Sequence, residues 1–206
     1  MLSAFAAWTL DDFLKVIALV GGVITFAIGL AQYRRTQQWK RAEWVAQEMK
    51  QLFADPIVQA ALLMIDWESR SILLYPDRVA QEGRYVFVTN EIVAGALVSH
   101  KSREGDSGFT MLEADIRSAF DRLLDGLERF NSYVVTGLVE IADLEPYLMY
   151  WARKVMRDWS PDPMKQRIER LRSYMDAYGF DGAHALLKQI AAVKQGRKGE
   201  LPARTG

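Results

Sequence analysis

Cysteine is absent from the chain, and histidine occurs only twice in 206 residues. Without cysteine the chain has no disulfide, no thiolate metal site and no cysteine nucleophile. Net charge is missing as well, because 26 basic residues balance 26 acidic ones. Proteins that bind nucleic acid through their overall charge carry a basic excess, so we expect no nucleic-acid partner. Any electrostatic partner must be bound by a local patch.

Charge is also missing from residues 16–31, inside the sequence KVIALVGGVITFAIGLAQYRR. A bilayer core about 30 Å thick requires about 20 helical residues, and residues 13–33 supply them. The core helix of a soluble protein normally has a polar face, which this stretch lacks. A signal peptide has a basic amino-terminal region, whereas Asp11 and Asp12 are the only charged residues among the first twelve. The sequence therefore predicts a transmembrane helix over residues 13–33.

The two flanks of the apolar stretch differ in charge. Only acidic residues precede Lys15, whereas four basic residues follow the stretch: Arg34, Arg35, Lys40 and Arg41. Because basic flanks stay on the cytosolic side of a membrane, we expect the amino terminus outside and most of the chain in the cytosol. The predicted segments are a short extracytoplasmic amino terminus (1–12), the transmembrane helix (13–33), a basic juxtamembrane helix (34–54), a cytosolic helical domain (55–195) and a disordered tail (196–206).

The same four basic residues are candidates for contact with lipid. Next to an anionic bilayer surface each cation contributes about 1 kcal/mol to binding. The alternative is that the juxtamembrane helix packs on the domain, since Trp39, Met49 and other apolar residues recur on one side at helical spacing. Of the two interpretations, packing on the domain is slightly favoured.

Small residues repeat every four positions within the apolar stretch, at Gly21, Thr25 and Gly29. Such a face lets two membrane helices approach closely, and close packing drives helix association in lipid. Glycine is also common in membrane helices without any such role. The spacing thus predicts a homo-oligomer formed through this face, with ordinary glycine content as the alternative.

Beyond residue 55 the sequence is dominated by helical periodicity. Residues 112–134 carry apolar side chains every three or four positions, behind a capping box formed by Thr110 and Glu113. Asp55-Pro56 starts an earlier helix, and further proline and glycine residues separate the later ones. The runs ILLY and YVFVT, joined by a polar segment, are typical of a hairpin. We predict an all-α protein: the transmembrane helix, then a bundle of about five helices with at most one short β-hairpin.

Reactive groups are sparse in this domain. His100 and His184 lie far apart without the spacing of a metal site, and no phosphate-binding or dinucleotide-binding motif occurs. Between residues 113 and 129 acidic residues alternate with Arg117, Arg122 and Arg129, as on a solvated helix face with ion pairs one turn apart. We therefore predict no catalytic residue, no metal and no cofactor.

One aromatic-rich segment is the exception. Tyr147, Tyr150 and Trp151, with Arg153 beside them, could line a groove for a peptide or a flat ligand, because tyrosine and tryptophan combine large area with a polar group. Aromatic residues at three- and four-residue spacing more often belong to the core. The four residues form a possible binding groove, with core packing as the alternative.

The order of segments resembles a known family. The carrying residues are DWESR, IRSAFDRLLDGLERF and, most specifically, GLVEIADLEPYLMYWARKV and SYMDAYGFDGAHALL. They are similar to a family of uncharacterised bacterial single-pass membrane proteins with a helical cytosolic domain. The resemblance spans most of the chain after residue 36 and implies a bacterial inner membrane. It implies no catalytic residue.

Two functions from different classes follow. The first is a non-enzymatic single-pass membrane protein whose domain binds a cytosolic protein or small ligand, or assembles with its own copies. The alternative is a ligand-regulated oligomeric effector, for example in antiphage defence, that perturbs the bilayer. An enzyme is a third and weaker possibility, which would require His100 or His184 to act in hydrolysis.

Overall fold

The computed structural model of the protein describes residues 10–80, 83–102, 108–156 and 162–193. Within them the chain forms seven α-helices, one 3-10 turn and one two-stranded sheet. The prediction of an all-α protein with one short hairpin is confirmed. The predicted tail lies outside the described residues, as does most of the predicted amino-terminal segment. Contacts divide the chain after Trp44 into two compact units.

The first unit contains the greater part of helix α1 (Leu10–Ala54). The apolar part of α1 is long and apolar enough to cross a membrane, with a mean hydropathy of 1.5 over its most apolar window. None of that window is buried, and large apolar side chains such as Leu19 and Phe26 are 69% and 73% exposed. By length and composition α1 is a candidate membrane span.

The second unit begins at Val45 and contains the last turns of α1 together with every later element. Val45, Met49 and Leu52 of α1 are buried in this unit, so this end of the helix belongs to its core. The later helices are α2 (Pro56–Asp66), α3 (Asn90–Ala96), α4 (Met111–Val135), α5 (Ile141–Met156), α6 (Asp162–Tyr178) and α7 (Asp181–Ala192), and the 3-10 turn is His100–Ser102.

The sheet is a hairpin of β1 (Ser69–Leu73) and β2 (Tyr85–Thr89), paired antiparallel with Ser71 opposite Phe87. Ile72 and Val88 are buried on one face, while the other face is exposed. The hairpin was predicted, but its first strand begins three residues earlier than the apolar run ILLY. That strand also ends two residues before the run does. Polar residues can belong to it, because a strand that is covered on one face needs apolar residues only at alternate positions.

Two helix starts follow the capping chemistry that the sequence predicts. Asp55 accepts a hydrogen bond from the amide of Ile57 at 2.9 Å. Thr110 accepts from the amide of Glu113 at 3.2 Å, while the Glu113 carboxylate accepts from the amide of Thr110 at 2.8 Å. This reciprocal arrangement confirms the predicted capping box.

Two helix starts differ from the sequence prediction. Asp143, three residues before Pro146, is predicted by the sequence to cap α5. The helix instead begins at Ile141, and Asp143 accepts from the amide of Glu140 at 2.9 Å. Asp181, which follows Gly179, is predicted by the sequence to cap α7. It is instead the first helical residue, and the amide of Ala183 donates to the carboxylate of Glu128 on α4. Local spacing locates such starts only to within a residue or two.

The core of the second unit is built around α4. Its apolar stripe is buried, as predicted, with Phe120 and Phe130 fully enclosed. Helix α7 packs against α4 and α5, α2 packs against α4, and α3 packs against α4 and α6. Gly126 permits a close approach of α1 to α4, because a Cβ atom there would lie 2.5 Å from Cδ1 of Leu52.

Candidate functional site

The small residues predicted for membrane-helix association lie on the exposed surface of α1. A Cβ atom added at Gly21 or Gly29 would meet no atom within 4 Å. The hydroxyl of Thr25 donates to the backbone oxygen of Gly21 at 2.9 Å, so its methyl group and the two glycines form the outer surface. The face is open to a neighbouring helix, and association through it stays a prediction.

The basic residues predicted to contact lipid lie in the next turns of α1. Arg34, Arg35 and Lys40 are exposed, whereas Arg41 is half-buried. Trp39 beside them is 71% exposed. The first three cations are therefore accessible to anionic groups, and their contact with lipid stays a prediction.

The predicted groove residues lie on α5 in different surroundings. Tyr147 is 37% exposed and Tyr150 is 55% exposed, while Trp151 and Arg153 are half-buried. The structure brings Tyr150 and Trp151 together, with ring centroids 4.8 Å apart in an edge-to-face arrangement. Tyr150 also bonds to α2, and Trp151 lines an interior cavity. A shared groove for all four residues stays a prediction.

The cavity beside Trp151 is small and apolar. Its volume is about 20 Å³, and leucine side chains of α4 such as Leu123 and Leu127 form much of its wall. A cavity of this size holds about one water, and small-molecule sites are normally hundreds of Å³. We therefore interpret this cavity as a packing gap rather than as a ligand site.

Two basic side chains from distant helices bind the carboxyl end of α2. Lys154 donates to the backbone oxygen of Asp66 at 2.9 Å, and Arg167 donates to the backbone oxygens of Ile65 at 3.1 Å and Trp67 at 2.6 Å. The last carbonyls of a helix lack intrahelical partners, and α2 has no basic residue in its own last turn. Helices α5 and α6 thus supply the positive charge that stabilises the end of α2.

Side-chain bonds complete this group, which we call the α2-end cluster (Asp66, Tyr150, Lys154 and Arg167). The Asp66 carboxylate accepts hydrogen bonds from the Tyr150 hydroxyl and the Lys154 ammonium. Partial burial opposes ionisation of Asp66, but the bonds from Lys154 and Tyr150 outweigh it and lower the pKa of that carboxyl. The bond to Asp66, together with burial, raises the pKa of the Tyr150 hydroxyl. At neutral pH the cluster therefore holds a carboxylate, two cations and a neutral phenol.

Arg167 is the most enclosed cation of the described part of the chain, at 2% exposure. Burial lowers the pKa of its guanidinium to about 10, although Glu68 and Asp66 oppose that shift. The group still carries its charge at neutral pH, and it donates to two backbone oxygens. Its hydrogen bonds thus stabilise the end of α2. This favours a structural role for Arg167 over a role in proton transfer.

A second cation, Arg117 of α4, lies among aromatic rings. Its guanidinium carbon is 4.2 Å from the ring centroid of Phe109 and 4.8 Å from those of Tyr174 and Tyr178. The negative faces of aromatic rings attract a cation within about 6 Å. We call Arg117, these three rings and the neighbouring His100 the Arg117 cluster.

Polar contacts of the Arg117 cluster join α4 to the end of α3 and to α6. Arg117 donates to the backbone oxygens of Ala96 at 2.9 Å and Val98 at 3.0 Å. Its second terminal nitrogen lies 3.5 Å from Nδ1 of His100, which in turn lies 2.6 Å from the hydroxyl oxygen of Tyr178. The cluster therefore connects the turn after α3 to helices α4 and α6.

Tyr174 is the buried member of the Arg117 cluster, at 2% exposure. Its hydroxyl donates to the carboxylate of Asp121 at 2.5 Å. Burial and that bond raise the pKa of the Tyr174 hydroxyl, while the charge of Arg117 acts in the opposite direction. Tyr174 therefore stays protonated at neutral pH and acts as a hydrogen-bond donor.

The prediction that the charged residues of α4 face solvent is wrong for Arg117, whose exposure is 8%. The other arginines of that face bond to other elements rather than along α4: Arg122 pairs with Asp55, and Arg129 lies 3.6 Å from Glu48 of α1. The spacing of charges along a helix shows which residues can meet within it. It does not show which residues of other helices lie opposite.

The two histidines have separate partners. His100 belongs to the Arg117 cluster, while Nδ1 of His184 lies 2.7 Å from the Asp176 carboxylate on the exposed surface. Among the residues that the structure describes, no group of three or more histidine, cysteine or acidic side chains could hold a metal ion. Sequence reasoning missed both clusters, because their bonds join residues up to 102 positions apart.

Comparison with known proteins gives no assignment: no family model, no curated protein and no solved structure matches the chain.

Proposed function

We propose that the chain is a single-pass membrane protein, and that its helical domain is a non-enzymatic interaction or assembly module. The apolar part of α1 anchors it, with the amino terminus outside and the domain in the cytosol of a bacterial cell. The orientation rests on Arg34, Arg35, Lys40 and Arg41, which follow the span.

One observation carries the membrane assignment, namely the exposure of the apolar part of α1. No part of its most apolar window is buried, and nine large apolar side chains between Leu14 and Leu30 are 41–73% exposed. Soluble proteins rarely expose a contiguous apolar surface beyond a few hundred Å², whereas a bilayer covers such a helix completely. Lipid is therefore the favoured surrounding of this segment.

The hydrogen bonds of the two polar clusters lie within the fold, which favours a structural role for these groups over a catalytic one. The α2-end cluster and the Arg117 cluster direct their hydrogen bonds to backbone oxygens at the ends of α2 and α3. A catalytic site presents such groups to a substrate in a cleft. The cavity beside Trp151 is lined by apolar and aromatic side chains.

Membrane fractionation tests the assignment. The full chain should remain in the membrane pellet after alkaline carbonate extraction, because a spanning helix is held by its apolar contact with lipid. Replacing Val20 and Ile24 by arginine should release the protein, since each central charge costs about 2.5 to 3.5 kcal/mol of insertion energy. A matched control changes Gln37 and Gln38 to arginine beyond the span and should stay in the pellet. Recovery of the unchanged chain in the soluble fraction would contradict the proposal.

Assembly through the span has a separate test. Replacing Gly21 and Gly29 by isoleucine should lower the yield of chemically cross-linked oligomers, because bulky side chains keep two helices apart. Val20→Ile with Val23→Ile adds bulk on the opposite side of α1 and serves as the control. Unchanged oligomers in the glycine variant would remove this face from the proposal. Membrane depolarisation that requires residues 1–35 would favour a bilayer-perturbing effector instead.

A further inference from the structure

The hairpin presents an exposed aromatic surface on one strand. Tyr85 and Phe87 of β2 are each 60% exposed. They lie on the same face, because side chains alternate along a strand, while Val88 on the other face is 3% exposed. Together they form a small contiguous apolar patch, and contiguous patches mark interaction sites more often than isolated apolar residues do.

The same strand has an unpaired edge. In the described part of the chain the sheet contains two strands, so β2 pairs with β1 alone. Unpaired N–H and C=O groups on the outer side of a strand can bind another strand. Proteins usually protect such edges with charged residues, proline or a bulge. β1 carries Arg70, whereas β2, with the sequence YVFVT, contains neither charge nor proline.

We propose that β2 pairs antiparallel with β2 of a second copy of this chain, with Phe87 opposite Phe87 of that copy. The charge pattern supports this occupant. When two identical strands pair antiparallel, residues near the axis lie opposite their own kind or close neighbours, and like charges there are repulsive. The uncharged β2 strand avoids that repulsion. Tyr85 would lie opposite Thr89 of the other copy, and the aromatic rings would cover one another across the strands.

The proposal rests on membrane anchoring, because the contact is small. A five-residue strand buries far less than the roughly 1,200–2,000 Å² of a stable free interface. Copies held in one membrane meet at high effective concentration, which strengthens a weak contact without new interactions. Pairing is therefore expected in membranes and should be lost on dilution in detergent.

Single-cysteine cross-linking tests the pairing directly, because the chain contains no cysteine of its own. The full-length Phe87→Cys chain in membranes should form dimers with a short bismaleimide several-fold more efficiently than Val79→Cys. Val79 is the matched control, since it lies between the two strands and is 97% exposed. Equal yields from the two variants would overturn the proposal.

The register has its own test. Mixed Tyr85→Cys and Thr89→Cys chains should cross-link more than either chain alone, since the proposed axis places these residues opposite each other. Equal yields from mixed and single chains would overturn the register.

A charge variant shows whether the strand itself is responsible. Tyr85→Lys added to the Phe87→Cys chain should lower the cross-linked yield several-fold, and Ser71→Lys on β1 should not. Both positions are exposed, so an unchanged thermal transition by circular dichroism verifies folding. Equal yields from the two lysine variants would contradict pairing through β2.

Membrane-bound chains without the cross-link contradict only this inference, whereas chains absent from the membrane fraction contradict the proposed function as well.

Discussion

Arg117 and Arg167 are buried charges that this fold stabilises in two different ways. Arg167 donates to two backbone oxygens at the end of α2, and Arg117 combines two backbone oxygens with three aromatic rings. A buried charge is costly unless it is hydrogen-bonded, and the partial negative charge at a helix end lowers that cost. Both residues therefore act mainly on stability.

Removal of the Arg167 guanidinium should lower the free energy of unfolding. Arg167→Met leaves the oxygens of Ile65 and Trp67 without their donor, and a hydrogen bond to a charged group contributes about 1.5 to 3 kcal/mol. We expect a loss of about 3 kcal/mol, measured by urea unfolding of the detergent-solubilised protein. Lys165→Met on the exposed side of the same helix should change stability by less than about 0.5 kcal/mol. Equal effects of both variants would contradict the role of the α2-end cluster.

Tyr174 should make the protein sensitive to alkali. Its pKa is raised above the ordinary value of 10.0, so above that pH the unfolded chain loses the tyrosine proton while the folded chain keeps it. Stability therefore falls as the pH rises through this range. Tyr174→Phe should lower the free energy of unfolding by about 1 kcal/mol at neutral pH, because the bond to Asp121 is lost. The difference in stability between this variant and the unchanged protein should shrink at about pH 10.5. Thermal unfolding at both pH values measures it, and a constant difference would count against the expected shift.

At the scale of elements, two glycines set how closely helices approach. A Cβ atom at Gly126 would lie 2.5 Å from Cδ1 of Leu52, and one at Gly182 would lie 2.2 Å from Oε2 of Glu128. The Glu128 carboxylate also accepts from the amide of Ala183 at 2.8 Å, at the start of α7. The contacts of α4 with α1 and α7 thus depend on the absence of side chains.

Alanine at these positions should destabilise the domain. Gly182→Ala displaces the Glu128 carboxylate from the start of α7, and Gly126→Ala displaces a buried leucine. Each should cost about 1 to 3 kcal/mol, as overpacking does. Gly108→Ala is the control, because a Cβ atom there meets nothing within 4 Å. Shortening the opposing side chain with Leu52→Val should restore part of the loss in the Gly126→Ala variant, and a full loss that persists would argue against this steric cause.

Elements were predictable where the determining residues are neighbours in sequence. The Thr110–Glu113 capping box and the stripe of α4 arise within a few turns of one helix, so their spacing suffices. The partner of Arg117 at Ala96 and that of Arg167 at Ile65 lie 21 and 102 residues away. Nothing in local spacing distinguishes these two arginines from exposed ones such as Arg122. The sequence thus predicts the helices but not the clusters that join them.

At the scale of the whole molecule, the charge next to the proposed membrane span should set its orientation. Neutralising Arg34, Arg35, Lys40 and Arg41 to glutamine should give a mixed population, because basic residues near a span keep that side in the cytosol. Reaction of a Ser3→Cys chain with a membrane-impermeant maleimide in intact cells measures the fraction of chains whose amino terminus lies outside. Neutralising four basic residues far from the span (Arg122, Lys165, Arg170 and Lys188) should leave labelling unchanged. Equal labelling in both charge variants would show that these cations do not set the topology.

The bonds at the end of α2 also have a consequence during synthesis. Helix α2 is made early, yet Lys154 and Arg167 leave the ribosome about 90 to 100 residues later. Until then α2 lacks its distant partners, and apolar residues such as Val58 and Met64, which are buried in the finished fold, have no complete core to enter. Chains that terminate before α5 should therefore be preferred substrates for chaperones and proteases, as partly folded intermediates are. Quality control of this protein would act on the nascent chain while α1, the proposed membrane span, is already available for insertion.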